Sequence, residues 1–138
     1  MKLAVAIGNR INKFKDFKGL RFNQKEISIE EFIQAHLVEG YCVSAPHNQK
    51  RRKECVKWAN WLGFDFDSGY NGEFEGYNGI LYQTASYTPE NPRYRFILFL
   101  DRVYTGPELE EGLRFWHSQF NTMDPSCTDC SRLWFGVT

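Results

Sequence analysis

The sequence predicts an α+β fold, a mainly antiparallel sheet with two main helices packed on one face. Three observations predict it. Short apolar or alternating runs recur between turn signals, at 2–7, 41–45, 61–66, 80–88, 93–101 and 133–137, which is the pattern of strands. Two capping boxes, Ser28-Ile-Glu-Glu31 and Thr105-Gly-Pro-Glu108, each open a stretch of helical periodicity. The chain has 138 residues, 42% of them hydrophobic and 17% aromatic, which is enough apolar mass for a single domain over 1–138.

Each element has its own signal. Lys2–Ile7 reads as a short strand closed by Gly8. Residues 9–27 are polar and basic and read as loop, with room for a short strand. The first helix spans 28–39. Ile29, Phe32, Ile33 and Leu37 make its apolar face and Gly40 ends it. His36 lies within it and reads as a surface or packing residue. Tyr41–Ala45 is a strand, and a loop from Pro46 follows. Trp58 and Trp61 anchor the next strand. Residues 68–79 hold four glycines and read as a flexible loop, either a lid or a plain connection. In Ile80–Thr88 the alternation places Thr84, Ser86 and Thr88 on one strand face. Pro89–Pro92 is a turn. The strand Arg93–Asp101 follows, then a helix over 106–121 with a stripe of Leu109, Leu113, Trp116 and Phe120. His117 reads as surface, and Leu133–Val137 as a last strand.

No apolar run approaches the roughly 20 residues of a membrane span, and the amino-terminal run is interrupted by Asn9 and Arg10, so a cytoplasmic protein is expected. In that compartment Cys42, Cys55, Cys127 and Cys130 are expected as free thiols. The spacing Cys127-Thr-Asp-Cys130 leaves structural zinc open as the alternative. The zero net charge hides an asymmetry. Residues 1–60 carry twelve Lys or Arg against six Asp or Glu, while 61–138 carry five arginines against eleven acids. The basic half suits a polyanion, and the acidic half has the carboxylates of a metal site.

Those carboxylates centre on Trp61-Leu-Gly-Phe-Asp65-Phe-Asp67-Ser-Gly69. On a strand Asp65 and Asp67 share one face, about 7 Å apart, with Phe64 and Phe66 on the other. Such a pair can converge on a divalent ion, or be two solvated aspartates on an edge strand. Arg93 and Arg95 share a face too. They are costly there unless they meet anions, either these carboxylates or the phosphates of a ligand. The hydroxyl row favours phosphates. Lys50, Arg51, Arg52 and Lys53 form a basic run that suits nucleic-acid backbone or a solvated loop.

Three blocks in this order resemble the archaeo-eukaryotic primase superfamily, in particular the primases and primase-polymerases of plasmid and phage replication. Phe64-Asp65-Phe66-Asp67 looks like its D-x-D metal motif. Tyr82–Arg95 looks like the strand, turn and paired arginines that hold the incoming nucleotide. Asp124-Pro-Ser-Cys-Thr-Asp129-Cys-Ser131-Arg132 resembles its late acidic motif with a serine-arginine after it. Thr88 stands near the place where the superfamily often has a histidine. The likeness covers 61–135 well and 41–137 loosely.

The resemblance implies an RRM-like palm with its acids on the open face of the sheet. It implies Mg2+ or Mn2+ held by Asp65, Asp67 and Asp124, with Asp129 as the alternative third carboxylate. Ser86, Thr88, Arg93, Arg95 and Arg132 would bind a nucleoside triphosphate. The partners implied are a single-stranded DNA template and a helicase domain or protein, the chain being a stand-alone module or the core of a longer replication protein. The basic run 50–53 would follow the template. Two rivals stay open. One is a metal-dependent nuclease or replication initiator, though His36, His47 and His117 are isolated. The other is a non-catalytic nucleic-acid-binding domain, with Trp58, Tyr70 and Tyr77 stacking on bases.

Overall fold

The first strand, β1 (Lys2–Arg10), is central to a sheet, and its residues Leu3, Ala4, Val5 and Ala6 are all buried. The structure is a computed structural model. It describes residues 1–10, 22–47, 56–120, 123, 129, 130, 132, 134 and 136. β2 (Asn23–Ser28) and β3 (Tyr41–Ser44) flank β1 antiparallel in the order β2-β1-β3. A second antiparallel sheet is built from β4 (Trp58–Phe66), β5 (Gly79–Gln83) and β6 (Tyr94–Thr105), in the order β4-β6-β5. The α+β class therefore holds, but among the described residues the single sheet expected from the sequence is two three-stranded sheets.

Both helices start where their capping boxes put them. Ser28 and Glu31 close the first box around α1 (Ile29–Phe32), which runs on as a π-helical segment, Ile33–Val38. Thr105 and Glu108 close the second around α2 (Gly106–Gln119), with Pro107 in its first turn. The helices do not share a face of one sheet. Leu109 and Leu113 of α2 are buried, and its Trp116 and His117 lie against Phe74 and Phe64. Phe32 and His36 of the first helix instead meet Trp61 and Tyr82. Alternation along β4 separates Trp61 and Asp65 from Phe64 and Phe66, so the second sheet has a helix on each side.

β3 pairs with β1 at Ala6, Ile7 and Arg10, leaving residues 2–4 without a strand partner on that side. Side chains of β4 fill the gap. Asn60 accepts from Ala4 N–H at 3.1 Å and donates to Lys2 C=O at 2.7 Å, and Trp61 Nε1 donates to Ala4 C=O at 2.8 Å. Asn60 comes free for this at an irregularity in the β4–β6 pairing between Ala59 and Trp61. The second junction is Trp134, whose backbone exchanges hydrogen bonds of 2.8 and 2.9 Å with Val43 of β3. The other strand positions expected at 133, 135 and 137 lie outside the described residues.

The glycine-rich segment 68–79 is a run of turns in which Gly69, Gly72 and Gly76 have φ of 105°, 82° and 88°, a region open mainly to glycine. It is tied down by its aromatic side chains, with Tyr70 packed on Phe66 and Tyr77 on Trp116. Phe74 is 1% exposed and stacks on Phe96 at 4.7 Å and 6°, with Phe64, Trp116 and Phe120 around it. Tyr70 Oη accepts from Phe74 N–H at 2.9 Å. The segment is a pinned connection, not a detached lid.

Gly63 lets the two halves close on each other. A Cβ there would stand 2.5 Å from the Trp134 ring. Gly63→Ala is expected to destabilise the fold by about 1–3 kcal/mol through overpacking. Urea unfolding followed by tryptophan fluorescence checks this, and an unchanged midpoint would show that Trp134 does not pack as described.

Candidate functional site

The candidate site forms where the registers of three strands align. Asp65 of β4 stands opposite Arg95 of β6, which stands opposite Tyr82 of β5. Arg95 is 8% exposed and Asp65 6%, so both charges are withdrawn from water and each needs a partner. Arg95 Nε donates to Asp65 Oδ1 at 2.8 Å, and Arg132 Nη2 donates to Asp65 Oδ2 at 3.3 Å. Trp134 lies beside both guanidinium groups, its ring centroid 4.8 Å from Arg95 Cζ and 5.2 Å from Arg132 Cζ, within cation–π range. Burial works to lower the Arg95 pKa, but Tyr82 and Asp65 outweigh it and the net shift is upward, so Arg95 stays charged.

The chain of contacts continues to the first helix. Arg95 Nη1 donates to the Tyr82 hydroxyl at 3.3 Å, and that hydroxyl lies 2.8 Å from His36 Nε2. His36 Nδ1 is 2.8 Å from the Tyr41 carbonyl. A carbonyl can only accept, so Nδ1 carries the proton. Burial, helped less by the charge of Arg95, overcomes the Tyr41 hydrogen bond and lowers the His36 pKa to about 4. The ring is therefore neutral at pH 7, Nε2 accepts, and the Tyr82 hydroxyl donates to it. Burial raises the Tyr82 pKa, which keeps that proton in place.

The other expected residues fall in different places. Asp67 is exposed in the turn after β4, whose last residue is Phe66. The two acids therefore do not stand together on an open strand face. Pairing of β5 with β6 stops at Gln83↔Tyr94, so the expected row of strand hydroxyls is not formed. Thr84 N–H reaches Arg93 C=O, Tyr87 N–H turns back to Thr84 C=O, and Thr88 and Asn91 exchange backbone hydrogen bonds. Pro89 and Pro92 bring no N–H to extend a ladder. Ser86 and Thr88 are exposed in these turns, and Arg93 precedes β6 instead of sharing a strand face with Arg95. With the Asn91 amide oriented to present its oxygen, Arg93 donates to it from Nε and Nη2 at 3.0 and 3.1 Å.

Asp124 and the basic run Lys50, Arg51, Arg52 and Lys53 lie outside the described residues, as do Cys55 and Cys127. Cys42 and Cys130 form no disulfide. Asp129 groups with Glu110 of α2 and Cys130, with ligand atoms within 4.8 Å of one another. Burial, then Glu110 and Asp129, push the Cys130 thiol up to about 12, so it is protonated at neutral pH. Of the aromatics considered for base stacking, Trp58 and Tyr77 are exposed, while Tyr70 braces Phe74. No helix among the described residues is long and apolar enough to cross a membrane.

No family profile, curated protein or solved structure matches the chain.

Sequence reasoning did not bring His36 and Trp134 into the site, and it placed Tyr82 at the start of the second block without giving it a role. For His36 a signal existed. It follows Phe32 by four positions and so continues the apolar stripe of Ile29, Phe32 and Ile33.

Two predictions follow from the burial. Asp65→Ala leaves the buried Arg95 charge without its nearest carboxylate, and a loss of about 3–5 kcal/mol is expected in chemical unfolding. For His36, the unfolded imidazole protonates near its ordinary value of about 6.5 and the folded one near 4. Between these values the unfolded state binds more protons, so stability is full above the upper value and falls as pH drops towards the lower. The loss is on the order of 3 kcal/mol. Urea titrations at pH 7 and pH 4.5 should show this slope in the wild type and a shallower one in His36→Gln. Equal slopes would rule out the buried neutral imidazole as its source.

Proposed function

We propose that the chain is a metal-dependent nucleotidyl transferase of the primase kind, making or extending primers on single-stranded DNA in plasmid or phage replication. One observation carries the reading. Asp65, Tyr82 with Arg95, and Arg132 come from the three separate blocks that resemble the primase motifs. They form one hydrogen-bonded cluster, although Asp65 and Arg132 are 67 positions apart.

The donor chemistry fits a hard divalent ion such as Mg2+ or Mn2+. Carboxylate oxygens suit both ions. Asp65 presents two such oxygens at the site, Oδ1 towards Arg95 and Oδ2 towards Arg132. Asp67 follows two residues later in an exposed turn. Asp65, Asp67 and Asp124 would hold the metal, which when bound lowers the pKa of a 3′-hydroxyl and stabilises charge at the reacting phosphorus. Arg95 and Arg132 supply positive charge to the triphosphate, and Arg93, Ser86 and Thr88 flank it. Phosphate oxygens carry more charge than a single carboxylate and compete with Asp65 for both guanidinium groups. The basic run 50–53 follows the template backbone, which makes template binding salt-sensitive, and a helicase domain or protein is the expected partner.

A second reading draws on the same ion pairs. With both of its oxygens on arginines, Asp65 has a structural role, and exposed Trp58 and Tyr77 then serve a non-catalytic nucleic-acid-binding domain.

Primer synthesis on single-stranded DNA with labelled nucleotides, in manganese and in magnesium, separates them. Asp67→Ala is the cleaner variant, because Asp65 also neutralises a buried arginine. The catalytic reading expects product from the wild type and a loss of about 100-fold or more in Asp67→Ala, the scale for losing one charge-stabilising group in a catalytic site. No wild-type product and no metal-dependent nucleotide binding would overturn it. DNA affinity unchanged by Asp67→Ala would then favour the binding domain.

A further inference from the structure

The site has an inner end that the proposed reaction does not use. His36 is fully buried, yet it is a polar ring with both nitrogens engaged, one on the Tyr41 carbonyl and one on the Tyr82 hydroxyl. It sits in the π-helical segment Ile33–Val38. π-helical turns are rare and cluster at functional sites. Its ring neighbours are themselves aromatic, Phe32 at 5.4 Å and Tyr82 at 5.8 Å between centroids. From this ring the chain of contacts reaches charge through Tyr82, whose oxygen accepts from Arg95 Nη1.

We infer that His36 and Tyr82 are positioning residues that hold the Arg95 guanidinium in the orientation in which it meets its anion. Three contacts act in series. The Tyr41 carbonyl sets the imidazole tautomer, and that tautomer makes Nε2 an acceptor. Nε2 then accepts a hydrogen bond from the Tyr82 hydroxyl, which turns the Tyr82 lone pairs towards Arg95. Arg95 is thereby held at Nη1 by the phenol and at Nε by Asp65. A guanidinium pre-oriented at two points gives up less conformational entropy when it binds a phosphate. The consequence for substrate rests on the nucleotidyl-transfer reading, whereas the effect on Arg95 does not.

The test uses the full chain and two readouts. The first is the Arg95 Nε–H resonance in 15N-edited NMR, with its exchange rate against water. The second is the Kd for dATP in the presence of Mn2+, measured at a temperature where each variant is folded. Tyr82→Phe removes one oxygen. His36→Phe removes both ring nitrogens, and His36→Gln keeps one donor and one acceptor. Arg95 Nε–H exchange should accelerate about tenfold in both phenylalanine variants and dATP should bind about tenfold more weakly, the scale of one charged hydrogen bond. His36→Gln should restore both to within about threefold of wild type.

A purely structural role would lower the melting temperature and leave both readouts unmoved in the folded protein. An unchanged Arg95 resonance in Tyr82→Phe would overturn the inference, and that variant remains informative if His36→Phe does not fold. A faster-exchanging Arg95 in a protein whose dATP affinity is unaltered would overturn its link to substrate. If the wild type binds no dATP at all while Arg95 responds as expected, the nucleotidyl-transfer reading fails and the positioning role stands.

Discussion

The buried charge of Arg95 is the constraint on which the rest of the site depends. A guanidinium this far from water is tolerated only with a carboxylate against it and its remaining donors occupied. Asp65 meets the first requirement from the neighbouring strand, and Tyr82 contributes to the second from the other side. The register of the second sheet places all three in one row. Shifting β6 by one residue would send Arg95 into the aromatic layer under α2, so the ion pair and the register enforce each other.

Two kinds of contact join this row to the rest of the molecule. On the apolar side, Phe64, Phe66, Phe74 and Phe96 fill the space beneath α2 and anchor the glycine-rich turns. On the polar side, Trp134 ties β3 to β4 by its backbone and by its fit against Gly63, while reaching both arginines. Asn60 and Trp61 complete the junction by satisfying the stretch of β1 that β3 leaves open. The site thus lies where the two sheets meet, and residues from both sides of that junction shape it.

A site of this construction has a definite electrostatic character. Two arginines share one buried carboxylate, and Asp67, two residues further on, is exposed. An anionic ligand that took one arginine would weaken the hold on Asp65, and a cation that drew on Asp65 would loosen the arginines. Binding of the two would be linked, as thermodynamics requires when ligands share the groups of one network.

The sequence by itself determined the local features. The capping boxes at Ser28 and Thr105 marked both helix starts, because a cap is satisfied within four residues. The apolar run at 61–66 and the stripe of α2 followed from periodicity, and Phe64 and Phe66 were correctly set apart from Asp65. Only the tertiary structure decided what each polar residue meets. Alternation within 80–88 suggested a strand of hydroxyls, yet pairing with β6 ended at Gln83, since the partner chain turns at Pro92. Arg95 was legible as a cation in need of an anion. That its anion is Asp65, and that Tyr82, His36 and Trp134 surround it, depends on register and on the meeting of two sheets. These contacts join residues from 13 to 67 positions apart. No local pattern encodes such pairings, because each is settled by the burial of all the others.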